Sequence, residues 1–600
     1  MRQSKLARLL HQALSANLRV GRSRDVILIA WLLLAVACGF LAYVARVHEV
    51  THDVFHEMAL FRETLVSGSF PTHDLFAFTP TINPSIHHEW GTGAILYLVS
   101  VASGLGLAGI AILRLLLIGA LWLSLYRVAR MRGAHPYIFA CVAAFTFPFF
   151  WVGFSTIRAQ LFTLVFLAAQ MWMQELDCRG RRTWVIAWWL MLVAWLNIHA
   201  GFVVGVGMFG FHCLERFGAA WLQSRSFAGA CRATWHLMLA GSCVVLALPI
   251  NPYGWQYIPY LLHAIAMPRP LIVEWHALWH TYSPELTLLA FLVCVSLFVY
   301  CQRFVRVSRL RGAAFLSLTA YEALLHIRHG SLCGAVWLAY VPAWLTHTPL
   351  GRSMIRSVDT YRASFVRVSQ VIAVTCMLFA CANQFWRPTL PPAAKYSEAC
   401  FPSGVVDYFE QHHFRGNLLT PFAQGAYISW TLYPNVRVSL DGRYEVAYKD
   451  QVMLDHDQLY KGTEDWPKLL EKYPCDAVLV DQNSGLRPLL EVFRDANAGQ
   501  PVPTLSHWQF VYEDGAFVVL ARNATQNLPY RDSRSEPLLD GAHLAFSNKY
   551  SSRARRLNAS LVSQVTRAGF AVLISRQPLR STAIWSAAVP FVGIRDPISH

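Results

Sequence analysis

Charge is what this chain has least of. Of its 600 residues only 14% are charged against 55% hydrophobic, and mean hydropathy is +0.35. Soluble domains rarely reach that balance, and the apolar residues come in blocks of about twenty, the length that crosses a hydrocarbon core. CxxC spacing is also missing. The thirteen cysteines are scattered, mostly inside apolar runs, which points to buried, inert thiols and away from a haem or metal–thiolate site. Only Cys400 and Cys475 fall in a more polar region, where they can form a disulfide if that region lies outside the cytoplasm. No small-residue cleavage pattern follows the first apolar block, Val26 to Ala45. That block, preceded by Arg2, Lys5, Arg8, Arg19, Arg22 and Arg24, therefore reads as an uncleaved first span. Internal repeats and low-complexity tracts are absent.

Acidic residues are fewer than basic ones, 35 against 51, for a net charge of +16. Nucleic acid is not the implied partner, because the basic residues sit in short connections between apolar blocks and act as topology signals. Candidate spans run over 26–45, 107–126, 137–153, 159–176, 184–198, 202–219, 234–250, 285–302, 313–327, 331–347 and 366–383. Eleven crossings place five basic clusters inside: Arg127 to Arg132, Arg179 to Arg182, Arg216 to Arg232, Arg303 to Arg311 and Arg352 to Arg367. The same parity requires the short apolar stretch Gly93 to Leu105 to lie on the outer membrane surface rather than cross.

The expected organisation is a basic cytoplasmic leader (1–25), a multi-pass membrane domain (26–387) with a first outer loop (46–106), an outer α/β domain (388–522) and a poorly ordered tail (523–600). The α/β reading rests on β-rich runs at Ala426 to Leu432, Val436 to Leu440, Ala477 to Val480 and Phe517 to Leu520, plus a helical segment from Pro402 to His412.

The long, mostly polar connection from Arg46 to Glu89 carries Asp53, Asp74 and the run His87-His88-Glu89-Trp90. A loop of this kind after a first span suggests an enzyme working at one bilayer face. On the same face fall Arg158, Asn197, His199, Glu274, Trp275, Arg328 and His329, all at span ends. Ionisable groups near membrane depth usually line a cavity or pathway. Arg158 and Arg328 suit a phosphate, which guanidinium binds bidentately. Asp74 also reads as a turn cap, Asn251-Pro252-Tyr253-Gly254 as a turn, His199 as an interfacial histidine, and Asp441-Gly442-Arg443 as a hairpin turn closed by an Asp–Arg contact.

These residues resemble the GT-C glycosyltransferase superfamily, which includes protein O-mannosyltransferases, oligosaccharyltransferases and lipid A aminoarabinose transferases, and more narrowly a bacterial multi-pass GT-C-like family. The matching positions are Asp53, His56, Gly68, Pro71, Asp74, Phe76, Thr79, His88, Glu89 and Trp90 in the first loop. Further on they are Arg158 to Thr163, Trp195 to His199, Asn251 to Trp255, Glu274-Trp275, Arg328-His329, Gly425 to Trp430, Tyr433-Pro434 and Asp441 to Arg443. The resemblance spans residues 26 to 525, with departures at Val54-Phe55, Ala159 and Ala200. It implies a polytopic membrane protein that takes a polyprenyl-phosphate sugar donor at the outer face of a bacterial cytoplasmic membrane and passes the sugar, with inversion, to an unknown acceptor. Asp53 would be the catalytic base, supported by Glu89. His56, Asp74, His88, Arg158, His199, Glu274, Arg328 and His329 would bind substrate, the two arginines at the donor phosphate. A divalent cation (Mg or Mn) held by Asp53 with Glu89 or Asp74 is an optional helper. Two other readings stand beside this one. A transporter of a lipid-linked or anionic substrate would need repeats and midplane sites, and neither is visible. A non-catalytic sensor or assembly protein would make Asp53 dispensable.

Overall fold

The computed structural model describes residues 50–154, 157–280, 284–306, 310–382, 388–391, 400–496, 507–522, 528–536, 542 and 545–546. The expected leader and the first expected span, 26–45, lie outside these residues.

The protein is mostly helical, with a small sheet domain near its C-terminus. Among the described residues three helices are long and apolar enough to cross a membrane: Leu107–Met131, Phe227–Ala247 and Thr287–Phe304. A fourth span results if Pro349–Thr360 and Ser364–Phe379, bent by 89°, count as one. Large apolar side chains on these helices point outward, among them Leu116, Leu123, Leu239, Leu246, Leu292 and Val299. Eleven spans are therefore not counted from length and composition. Trp184–Ile198 and Ala313–Leu325 are apolar but short, and Ala159–Cys178 buries Gln160, Gln170, Gln174, Glu175 and Asp177 against its neighbours. At the centre runs Gly330–Thr346, buried from Gly330 through Leu345. An all-round apolar helix of this kind has to be enclosed by others.

The segment expected to be a polar loop after residue 46 contains a helix, α1 (Asp53–Ser67). Val54, Phe55, Met58 and Ala59 recur at helical spacing and are buried, and Gly68 ends the helix in the left-handed region at φ 72°, its N–H bonded to the Thr64 carbonyl. The apolar stretch that follows forms α2 (Trp90–Tyr97), extended by a π-helical turn Leu98–Ala102. Its thirteen residues span about 20 Å at 1.5 Å per residue, well short of a hydrocarbon core. α2 packs tightly on α1, since a Cβ at Gly93 would collide with the Glu57 carbonyl oxygen.

The sheet has the order β2-β1-β3-β5-β4-β6, with β1 (Gly416–Leu419), β2 (Val436–Val438), β3 (Ala477–Asp481), β4 (Trp508–Glu513), β5 (Phe517–Arg522) and β6 (Arg531–Asp532). β1 lies parallel to both β2 and β3, and β5 runs antiparallel to β3 and β4. Alternation along β3 divides the helices between the two faces. Ala477 and Leu479 pack with Val405, Tyr427 and Ile428, whereas Val478 and Val480 pack with Leu459, Trp466, Leu470 and Leu490. β6 lies within the segment expected to be a loose tail; residues 528–536 instead add a strand to the sheet edge.

Two further expectations change. Ala426 to Leu432 is a helix, α3 (Gln424–Leu432), rather than a strand. It is buried on every side, so its sequence shows no helical period and its Tyr, Ile, Trp and Thr mimic a strand, a preference that packing overrides. Cys400 and Cys475 form no disulfide with each other, since they lie one in each of the two packing layers.

The first loop and the sheet domain form one body. Ala77 bridges Val438, Phe78 N–H donates to the Val438 carbonyl at 3.0 Å, and Val438 N–H returns a bond to Phe76 at 3.0 Å. The loop thereby covers the open edge of β2, which would otherwise be an exposed template for pairing. α1 docks on α3 through Phe55 against Tyr427, ring centroids 5.2 Å apart, and through Arg62, whose Nη1 donates to the Trp430 carbonyl at 2.7 Å.

Candidate active site

A cavity of about 640 Å³ opens between α1, the start of α2, the ends of several helices and the sheet domain. Its lining includes the polar residues Asp53, His56, Glu57, His88, Glu89, His199, Arg328 and His329. It also includes the apolar residues Val203, Val204, Leu261, Ile265, Leu318 and Leu332. Asp53, Glu89, His56, His88, His199, Arg328 and His329, expected at the site from sequence, are thus brought together. Asp74, Arg158 and Glu274 do not line the cavity.

Asp53, His56 and Glu57 project from one face of α1 because they stand at i, i+3 and i+4. Arg158 anchors Asp53, its Nε 3.1 Å from Asp53 Oδ2, and also bonds Glu274 through Nη1. Burial pushes the Glu274 carboxyl up, but the charges of Arg158 and Arg328 outweigh this and hold it below the ordinary range. Arg158, expected at a donor phosphate, is engaged by two carboxylates and orients Asp53 from behind the wall. The sheet domain closes over the same point. A Cβ at Gly442 would come 3.1 Å from Asp53 Oδ1 and 3.5 Å from His56 Nδ1.

Glu89 lies between two imidazoles, 3.4 Å from His88 Nε2 and 3.3 Å from His199 Nε2. Each ring is held from its far side. Tyr260 Oη lies 2.7 Å from His88 Nδ1, and Gly201 N–H donates to His199 Nδ1 at 3.1 Å, which puts the His199 proton on Nε2, toward Glu89. Burial alone would raise the Glu89 carboxyl, but His88, His199 and a hydrogen bond from Glu57 hold it well below the usual range. Glu57 goes the other way. Burial and the neighbouring Glu89 charge push it up to about 8, against the opposing contact from His56 at 3.1 Å. Two adjacent buried carboxylates do not both ionise, and the proton resides on Glu57.

A measurable pH dependence follows. Between pH 4.5 and about 8 the folded chain keeps the Glu57 proton that the unfolded chain loses, so this group's contribution to stability falls as pH rises across that window. Glu57→Gln, which mimics the protonated form, is expected to remove that fall. The comparison is cleanest below pH 6.5, because His56 adds its own loss between 6.5 and about 9. Identical pH profiles of the unfolding temperature in variant and wild type would show that Glu57 holds no such proton.

Arg269 and Arg328 both stack on Trp275, their guanidinium carbons 4.4 Å and 5.7 Å from the ring centroid. Trp275 Nε1 is buried with no hydrogen-bond partner among the described residues, and no carboxylate among them lies within ion-pair distance of Arg328. This is a cluster of donors and positive charge suited to an oxyanion.

Asp74 is occupied elsewhere. Its Oδ1 accepts from the Phe76 and Ala77 amides at 2.9 Å and 2.6 Å, and its Oδ2 bonds Arg443 Nη1. Arg443 in turn holds Asp441, Nε to Oδ1 2.8 Å. The turn cap and the Asp–Arg contact both exist, joined in a buried triad between loop and sheet domain. The three carboxylates considered for a divalent cation each have their own partners: Arg158 for Asp53, His88 and His199 for Glu89, and Arg443 for Asp74. No three His, Cys, Asp or Glu side chains among the described residues stand where they could share a metal ion.

Glu57 and Arg269 had not been singled out from the sequence. Read as a helix, the first loop would have shown Glu57 on the Asp53 face. Arg269, inside Met267-Pro268-Arg269-Pro270, offers no local signal.

No protein-family model matches the chain, and no curated protein matches its sequence. Similar solved structures include the oligosaccharyltransferase of Archaeoglobus fulgidus tethered to an acceptor peptide, at 12% identity and TM-score 0.48 over 76% of this chain and 69% of that one. The same enzyme without ligand superposes at 11% identity and TM-score 0.47, over 89% and 83%. Its complex with an inhibitory peptide and dolichol-phosphate superposes at 12% identity and TM-score 0.46, over 75% and 69%. Likeness at this level establishes neither the fold family nor the chemistry of this chain.

Proposed function

We propose that the protein is a GT-C-type glycosyltransferase of about eleven spans, set in a bacterial cytoplasmic membrane with its sheet domain on the outer side. In this reading it moves a sugar from a polyprenyl-phosphate donor to an acceptor. The observation that carries the reading is the mixed lining of the cavity, carboxylates, imidazoles and guanidiniums together with apolar side chains. A lipid-linked sugar has the same mixture, an isoprenoid chain that needs apolar contact and a phosphosugar that needs cations and acceptors.

The residues divide the work by chemistry. Asp53, held by Arg158 at the cavity edge, takes the proton of the acceptor hydroxyl while that oxygen attacks the anomeric carbon. The bond from that carbon to the phosphate oxygen breaks, and its electron pair stays on the phosphate. Arg328 and Arg269 stabilise the charge that develops there, with the Trp275 N–H as a further donor. Glu89 and its two histidines are placed to bind sugar hydroxyls. Attack from the side opposite the leaving phosphate inverts the anomeric centre.

The test is purified full-length protein in lipid nanodiscs with a panel of radiolabelled polyprenyl-phosphate sugars. Protein-dependent release of polyprenyl phosphate from at least one member is expected. Absence of donor consumption across the panel, with and without membrane extract as acceptor source, would overturn the reading.

A further inference from the structure

The sheet domain has a second cavity, of about 290 Å³, which shares the lining residues Tyr444 and Ile272 with the first. Its position follows from the topology. β1 lies between β2 and β3 and parallel to both. The chain leaves β1 into α3 on one face, whereas it leaves β3 into the helix Leu486–Ala496 on the other. Where neighbouring parallel strands send their connections to opposite faces, a crevice opens at their carboxyl ends, the usual ligand position in open α/β sheets. Pro421 to Gln424 after β1, Leu440 after β2, and Asp481, Asn483 and Ser484 at the end of β3 line this cavity.

A buried imidazole supplies a second, independent observation. His456, only 3% exposed, lines the cavity. Its Nδ1 lies 2.8 Å from the Val452 carbonyl, which can only accept, so Nδ1 carries the proton and Nε2 presents a lone pair. Nε2 is buried and has no hydrogen-bond partner among the described residues. Burial depresses this histidine to about 4, so the ring is neutral at physiological pH. The polar neighbours also offer acceptors: the Asp481 carboxylate, and Ser484 Oγ, whose own hydrogen is given to the Tyr460 carbonyl at 2.7 Å. Lys461 is tied to Asp457 at 2.7 Å. Phe422, Tyr444 and Tyr460 add aromatic surface.

We propose that this crevice binds an uncharged, hydroxyl-rich group, a sugar or polyol, with a ligand hydroxyl donating to His456 Nε2 and a ring face against the aromatic side chains. A site that presents lone pairs selects a ligand that brings hydrogens. An anion would face Asp481 and Asp457 and is disfavoured. Its position beside the main cavity, with Tyr444 and Ile272 common to both, makes the crevice a subsite for the carbohydrate part of an acceptor; that assignment rests on the proposed transfer reaction, whereas the binding itself does not.

The experiment is saturation-transfer NMR on the full chain in nanodiscs, without donor, using methyl hexopyranosides, methyl N-acetylhexosaminides, inositol, glucose 1-phosphate and butylamine as probes. Binding of at least one neutral polyol is expected, together with weaker binding of the phosphate. His456→Phe, which removes the lone pair and narrows the crevice, should weaken it about tenfold or more. Ala423→Trp should do the same from the rim without touching the buried ring, and thermal unfolding identifies a variant that has not folded. The proposal is overturned by no binding of any neutral probe, by stronger binding of the phosphate or the amine, or by wild-type binding in a folded crevice variant. Donor consumption is read in a separate assay, so a failure here is distinguishable from failure of the transferase reading.

Discussion

Asp53→Asn is expected to fold as the wild type does and to transfer sugar about 10²–10⁴-fold more slowly, the loss typical of a positioned general base. The substitution keeps the side chain's size and one oxygen but removes the basic one. Folding should survive because Asp53 is 38% exposed at its side chain, where an ion pair contributes little, and because Arg158 retains Glu274. Donor binding should change far less than turnover, since the phosphate is assigned to Arg328 and Arg269 and not to Asp53. Transfer rate and donor affinity measured on the same preparation separate the two effects. A wild-type rate would remove Asp53 from the chemistry.

Arg443→Met should act on stability instead. Arg443 is 4% exposed, and it joins Asp441 of the sheet domain to Asp74 of the first loop, with Tyr448 Oη 3.2 Å from its Nη2 and the Phe76 ring 5.1 Å away. Removing the cation leaves two buried carboxylates without a counter-charge, a change that destabilises by about 3–5 kcal/mol. Arg443→Lys keeps a charge but cannot span both carboxylates, so an intermediate loss is expected. Denaturant unfolding followed by tryptophan fluorescence measures the series. Because Gly442 stands beside Asp53, the methionine variant should also lose activity as the sheet domain loosens over the cavity. A midpoint unchanged from wild type would mean that the triad does not hold loop and domain together.

How much of this could be read in advance depended on whether the determining contacts were local. Asp74 as a turn cap, the Asp441–Arg443 contact and the apolar runs that became β3 and β5 all rest on neighbours within a few positions, and each was legible. α1 was missed because its charged residues made the segment resemble a loop, although Val54, Phe55, Met58 and Ala59 carried the helical period. α3 was misread for the opposite reason: with every face buried there is no polar side to mark a period, and strand-favouring residues decided the prediction wrongly.

The amino-acid sequence by itself determined that the chain is dominated by apolar helices, that polar and ionisable residues gather at their ends, and that a sheet-forming segment follows them. Composition and short-range order suffice for these, because hydrophobic burial and turn chemistry act on nearby residues. Tertiary structure alone decided which ionisable groups share a cavity. It brought Asp53, Glu57 and Glu89 to one cavity, drew Arg269 and Arg328 to one indole, withdrew Asp74 into a triad with Arg443, and opened the crevice at His456. Those meetings join positions far apart in the chain. They arise from packing and charge pairing across the folded molecule, where a residue's role is set by what the fold places beside it.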